Sequence, residues 1–365
     1  MTGNEGESAE PRIKRPIDDW NGVIIEPGQT RDVQVSIGES YSGFDVLIPV
    51  QVRRAVEDGP VVFITAALHG DEINGTGAIR SLIMDDTLRL KKGVLVLAPV
   101  LNILGFDNHT RYLPDRRDLN RVFPGSPSGS LASRMARRIF DEIVARCDYG
   151  IDLHTAAIRR TNFPNVRVDW GNPEARKLAE AFGSELIVTG KGPIGAFRRT
   201  ACGVGCATII LEAGEVSKVE PSIVNWELRG IRNVLVKLGM ISGTHVPASR
   251  KFIIDKTKWV RADRGGFLQF HAAPGEVVRQ GQLLATNAGL LGNQLNQIVA
   301  PFDAIVIGTT TLPAVSPGEP ICHLGFLVDD AQMVQNHLEK DEMYGTVSDH
   351  LATSMVIDRP HDTGG

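Results

Sequence analysis

His69-Gly-Asp-Glu72 follows the apolar run Val61-Val-Phe-Ile-Thr-Ala-Ala-Leu68. A buried strand that ends in a histidine, with a carboxylate three residues on, can aim two ligands at one metal ion, and imidazole plus carboxylate is a common zinc pair. Alone the pattern is weak, because His-x-x-Glu also arises by chance at the start of a capped helix. Two further segments add to it. Tyr149-Gly-Ile-Asp-Leu-His154 closes on a histidine, and Thr208-Ile-Ile-Leu-Glu212-Ala-Gly214 carries a glutamate at a predicted strand end. In an open parallel sheet, ligands bind beyond the carboxyl ends of the strands, so His69, Glu72, His154 and Glu212 are expected on one rim. Two histidines and one carboxylate make a three-ligand site for Zn2+, one ion per chain, with the fourth position open as in catalytic zinc. Nickel, cobalt or iron would accept the same set.

Glu212 is then the natural general base, taking a proton from a water activated by the metal and passing it to the leaving nitrogen. Glu215, the rival, lies past Gly214 and fits the strand position less well. Asp152 points to the same face as His154. It either accepts the free imidazole N–H of a ligand histidine or bonds a loop backbone, and both readings stand at this point. Between two predicted strands runs Arg111-Tyr-Leu-Pro-Asp-Arg-Arg-Asp-Leu-Asn120-Arg121-Val-Phe-Pro-Gly125. Its Asn120-Arg121 pair suits a substrate carboxylate, and Arg111 suits an oxygen that becomes negative during acyl transfer. The plain alternative is that these are surface arginines. Against it, so polar a loop has little reason to carry Phe123 and a Pro-Gly turn unless it folds back onto the body. His109, His245 and His271 are read as ordinary polar positions, and Cys202 and Cys206, with no second pair at ligand spacing, as free thiols.

His69-Gly-Asp-Glu72, Asp118-Leu-Asn120-Arg121, Asp152-Leu-His154 and Glu212-Ala-Gly214 occur in an order and spacing that resemble the succinylglutamate desuccinylase/aspartoacylase family. The resemblance spans about Val61 to Met240. It implies a zinc amidohydrolase with a carboxypeptidase-like fold, zinc on His69, Glu72 and His154, and water activated by Glu212. It also implies Arg111 on the substrate carbonyl and Asn120 with Arg121 on a substrate carboxylate. Asp115-Arg-Arg117 is an insertion relative to that pattern, and it bears on the Arg111 assignment. The loop looks most like the broad bacterial group of predicted deacylases, which leaves the acyl group open.

The elements that must position these residues are those of an α/β protein, a mainly parallel (mixed) sheet flanked by helices. Strands are predicted at Val61–Leu68, Val94–Val100, Tyr149–His154, Glu185–Val188 and Ala207–Glu212, and helices at Ser130–Cys147 and about Ser222–Leu238. Asn165–Phe182 reads as a loop followed by a helix. At 365 residues the chain exceeds one ordinary core. The division expected is a flexible arm over 1–20, a zinc hydrolase unit over 21–245, a small all-β unit over 246–328 and a polar tail over 329–365. The β unit echoes itself (Pro274-Gly-Glu-Val-Val against Ser316-Pro-Gly-Glu-Pro) and resembles the barrel-sandwich of biotinyl and lipoyl carriers. No lysine occurs between Trp259 and Glu339, so it cannot carry such a cofactor, and a lid, wall or oligomer contact is expected instead.

A net charge of −4 gives no reason to propose nucleic acid as a partner. No apolar run of about 18 residues suggests a membrane span, and neither a secretion signal nor a disulfide framework is evident. The expectation is a cytoplasmic enzyme, a homo-oligomer by default, that hydrolyses the amide of a small N-acyl amino acid or N-acyl amine. A metallocarboxypeptidase acting on peptides and a catalytically silent binding protein of the same fold are the alternatives.

Overall fold

The computed structural model describes residues 16–40, 42–248 and 251–327, together with 334, 345 and 347. Its spine is a 13-stranded mixed sheet. Two antiparallel strands, β1 (Thr30–Glu39) and β2 (Asp45–Arg54), lead into β3 (Glu57–Ala66), α1 (Asn74–Ile83) and β4 (Lys92–Ala98). After α2 (Leu131–Glu142) come β5 (Tyr149–His154), β6 (Arg160–Val168), α3 (Pro173–Phe182) and β7 (Leu186–Thr189). Then follow α4 (Phe197–Gly203), β8 (Ala207–Glu215) and the 17-residue α5 (Pro221–Lys237). The β region that follows contains β9 (Thr257–Arg261), β10 (Gly266–Phe270), β11 (Leu283–Ala288), β12 (Gln294–Val299), β13 (Ala304–Thr310) and β14 (Pro320–Phe326). The main path runs β9-β14-β13-β6-β8-β5-β3-β4-β2-β1.

At its centre β8, β5, β3 and β4 are parallel. Parallel strands covered on both faces should be apolar throughout, and β3 shows how the faces divide. Val62, Ile64 and Ala66 enter the core beneath α1, α3 and α5, while Val61 and Phe63 enter the core on the α2 and α4 side. In β5 and β8 the first face takes Ile151, Leu153, Ile209 and Leu211. Asp152, His154 and Glu212 alternate with these, so they share the opposite face. From β3 the chain builds β4 on one side and β5 and β8 on the other, which makes the gap between β3 and β5 a topological switch point, the usual place for a ligand.

Three expectations need correction or extension. Asn165–Phe182, expected as a loop followed by a helix, begins inside a strand: Arg160–Val168 forms β6, antiparallel to β8, and the helix follows at Pro173. Pro164 hid this strand, since proline supplies no ladder donor, and the register shift between Glu212 and Gly214 opposite it accommodates the gap. The pair β1 and β2 was not foreseen, although Val33, Val35 and Ile37 show period-two burial. Helix α2 stops at Glu142 and continues as a short 3-10 turn, Val144–Arg146.

The β region is not hung on a linker. β13 pairs with β6, and its alternate residues serve two cores, Ile305 and Ile307 in the large one, Ala304 and Val306 in a small one with Leu268, Phe270 and Leu284. Beside them β10, β11 and β12 lie in a separate antiparallel sheet. Residues 1–15 of the expected arm and most of the expected tail lie outside the described residues. Trp20 is buried under the Arg146 guanidinium, and Val334 and Val347 are buried in the large core. Among the described residues no helix is long and apolar enough to cross a membrane.

Candidate active site

The chain leaves β3 through Ala67, whose φ of 47° is the left-handed region. Such strain persists where the surroundings over-determine it, and here Asn102 N–H donates to the Ala67 carbonyl at 2.9 Å. The turn sets His69 and Glu72 side by side before α1 begins. His154 ends the neighbouring strand. The three residues are 2–3% exposed, and one ligand atom from each lies within 4.8 Å of the others. Both Nδ1 atoms converge on the Glu72 carboxylate, His69 at 2.7 Å and His154 at 2.8 Å.

The far ring nitrogens are also held. His154 Nε2 lies 2.7 Å from Asp152, whose second oxygen accepts from Thr65 Oγ1 at 2.8 Å. His69 Nε2 lies 3.2 Å from Asp118. A carboxylate behind each ring is the arrangement that orients imidazoles offering their other nitrogen to a metal. Of the two readings of Asp152, the contact with the histidine is the one present. Asp118 sat unassigned within the Asp-Leu-Asn-Arg motif, and its partner is 49 positions away. Among the described residues His69, Glu72 and His154 are the one group arranged to take a metal, and two imidazoles with a carboxylate fit a divalent ion such as zinc. The thiols do not join: Cys202 Sγ accepts from Thr208 N–H instead.

The electrostatics agree with a site assembled around charge. Burial alone would lower the pKa of His154, but Asp152 and Glu72 hold it well above the ordinary value. His69 is raised against the same burial by Glu72 and Asp118. Burial opposes ionisation of Glu72, and the two histidines overcome it, leaving that carboxyl well below its usual range. Metal binding at such ligands displaces protons.

Arg111 donates to Glu72 at 3.1 Å and to Asp118 at 2.9 Å, so it sits against the ligand shell and not in open solvent. Asn120 is anchored: Phe197 N–H donates to its Oδ1 at 2.8 Å, and the residue lines the pocket. Arg121 donates back to the Asn120 carbonyl at 2.7 Å. Glu212 stands in β8 directly beside His154 in β5. Asn162 donates to its Oε2 at 2.9 Å, and Arg167 lies 3.6 Å from Oε1. Glu215 is engaged elsewhere, by Thr311 and Lys218. Beyond Glu212 the sheet bulges through Gly214, φ 74°, where a Cβ would meet Glu220 at 2.2 Å. Glu220 in turn accepts from Asn74 at 2.8 Å, tying the end of β8 to the start of α1.

His69, Glu72, His154, Arg111, Asn120, Arg121 and Glu212 line one cavity of about 410 Å3, large enough for a small molecule. A lid or wall was among the roles expected of the β unit, but the residues of the far wall were not singled out in the sequence. Arg160, Arg167 and Arg198 line it, with Trp259 and His323 from the β region. The two rings stack 4.6 Å apart at 7°, and Arg160 lies 5.0 Å over the indole. His323 is held down to about 3 by burial and by Arg167 and Arg160. Arg198 is 5% exposed, and its Nη1 is buried without a partner among the described residues.

Residues 58–238 match the family model described as the succinylglutamate desuccinylase/aspartoacylase catalytic domain. The chain belongs to that family. The chain is 28% identical over 252 residues to the N-alpha-acetyl-L-2,4-diaminobutyric acid deacetylase of Halomonas elongata, covering 66% of this chain and 73% of that protein. Among solved structures, the succinylglutamate desuccinylase/aspartoacylase of Rhodobacter sphaeroides superposes with a TM-score of 0.73 at 26% identity, over 87% of this chain and 99% of the other. The product-bound ectoine utilization protein EutE (DoeB) of Ruegeria pomeroyi gives 0.73 at 21% identity with the same coverage, a likeness of fold. The matched segment holds both histidines, Glu72 and Glu212.

Proposed function

We propose that this protein is a zinc-dependent deacylase that hydrolyses the amide of a small N-acyl amino acid. The observation that carries the reading is the convergence of His69, Glu72 and His154, each ring backed by a carboxylate, beside Glu212 in one pocket. Family membership and the likeness to an N-acetyl diamino acid deacetylase support it. Zinc on those three residues would polarise the scissile carbonyl and ease deprotonation of water.

The chain's own groups do the rest. Glu212 removes the proton from the attacking water and returns it to the departing nitrogen, so the amine leaves neutral. Arg111, beside Glu72, offers guanidinium donors where the carbonyl oxygen gains charge. Asn120, its carbonyl pinned by Phe197 N–H, and Arg121 grip the carboxylate of the amino acid. The stacked Trp259 and His323 close the wall, which limits the cavity to small substrates and disfavours a peptide chain.

A panel of N-acyl amino acids offered to metal-assayed protein tests the reading, with Glu212→Gln alongside. Release of free amino acid is expected from wild type. The variant is expected to keep its metal and lose turnover by roughly 10²- to 10⁴-fold. Near-normal turnover in the variant would exclude Glu212 as the base. Release of C-terminal residues from peptides, with no action on the panel, would favour a carboxypeptidase instead.

A further inference from the structure

Besides Trp259 and His323 in the pocket wall, the β region bears on Glu212 through Asn162 of β6. β6 has β8, with Glu212, along one edge and β13 along the other. Asn162 in β6 is paired with Gly214 on the first edge and with Gly308 on the second. It is 6% exposed, and its Nδ2 is the 2.9 Å donor to Glu212 Oε2. Among the described residues, the other side of that carboxylate has only the longer contact to Arg167, 3.6 Å from Oε1.

A glutamate side chain turns about three bonds, so its carboxylate keeps one position only where partners fix it. Asn162 provides the short directional bond, and the β region fixes Asn162. A Cβ at Gly308 would lie 2.5 Å from Asn162 Oδ1 and 2.6 Å from the Thr161 carbonyl. Only glycine leaves that amide where it stands. β13 is itself held by the small core behind it, through Ala304 and Val306.

We infer that Asn162, seated by Gly308 of the β region, is the positioning residue that aims Glu212 at the reacting water. This rests on the reading of Glu212 as the general base. The β region then belongs to the reaction machinery as well as to the pocket wall. Loss of the bond would leave Arg167 to draw the carboxylate toward the wall, and misplacement of a catalytic group by about 1 Å can cost roughly 100-fold.

The test is a double-mutant cycle of wild type, Asn162→Leu, Glu212→Gln and the pair. The probe is N-alpha-acetyl-L-2,4-diaminobutyrate, or whichever N-acetyl amino acid the wild type turns over fastest. Asn162→Leu is expected to keep one metal per chain and to lose roughly 10- to 100-fold in kcat, with KM within about twofold. In the Glu212→Gln background it is expected to change kcat no further. Unchanged kcat, or the same loss in both backgrounds, overturns the positioning role while leaving the base in place. Near-normal turnover in Glu212→Gln alone overturns the base assignment instead, so the two failures are distinguishable. If Asn162→Leu does not fold, Gly308→Ala displaces the amide with both side chains intact. A folded Gly308→Ala protein is expected to show the same split between kcat and KM, and normal kcat in it overturns the inference.

Discussion

The two ends of the pocket are built differently. At the metal end, His69, His154, Glu72 and Asp152 each have both polar side-chain atoms engaged. At the end closed by the β region, Arg198 Nη1 and Arg167 Nε are buried without a partner among the described residues. A buried donor without a partner costs free energy, so it persists best where a ligand completes it. On the proposed reading, the metal end is set before substrate arrives, and the far end is left for substrate to finish. Substitutions at the first should act on metal retention, and at the second on substrate affinity.

The sharpest test of that contrast is Asp152→Asn. The amide cannot hold His154 Nε2 as the carboxylate does, and metal affinity should fall roughly 10- to 100-fold, measured by competition with a chromogenic chelator. Unchanged affinity would mean that the backing carboxylate has no part in holding the metal. Arg198→Met comes next. It should leave metal content alone and raise KM for the best N-acyl amino acid about tenfold, the value of one charge-assisted hydrogen bond, with kcat within about threefold. Equal losses in kcat and metal would erase the distinction between the two ends.

The smallest effect belongs to His323. Its folded pKa of about 3 lies below the ordinary histidine value, so below pH 6.5 the unfolded chain binds a proton that the folded chain refuses. Stability is therefore intact above about 6.5 and is lost as pH falls toward 3. His323→Gln should remove that loss, and its Tm at pH 5 should sit about 2–4 °C higher relative to its value at pH 7 than wild type does. Parallel melting curves for the two proteins across that range would mean that His323 is not held neutral.

The same contrast explains what could be read from the sequence. The candidate ligands and Glu212 follow or end apolar strands that carry their own signal, Val61–Leu68, Tyr149–His154 and Ala207–Glu212, and the sheet aligns them on one rim. The far wall has no local signature. Asn162 meets Glu212 across 50 positions, and Trp259 meets His323 through the pairing of β9 with β14. Strand β6, which carries Arg160, Asn162 and Arg167, was concealed by Pro164. Asp118 was visible within its motif, but its role depends on a loop returning to His69. Asn74 and Glu220, 146 positions apart, brace the rim with no feature that marks them in the chain.

The most direct measurement is the zinc content of dialysed protein by elemental analysis, wild type beside His154→Ala. One ion per wild-type chain and close to none in the variant is the expected result. A wild-type chain that takes up no zinc after reconstitution, or a variant that keeps a full equivalent, would contradict a site built on His69, Glu72 and His154.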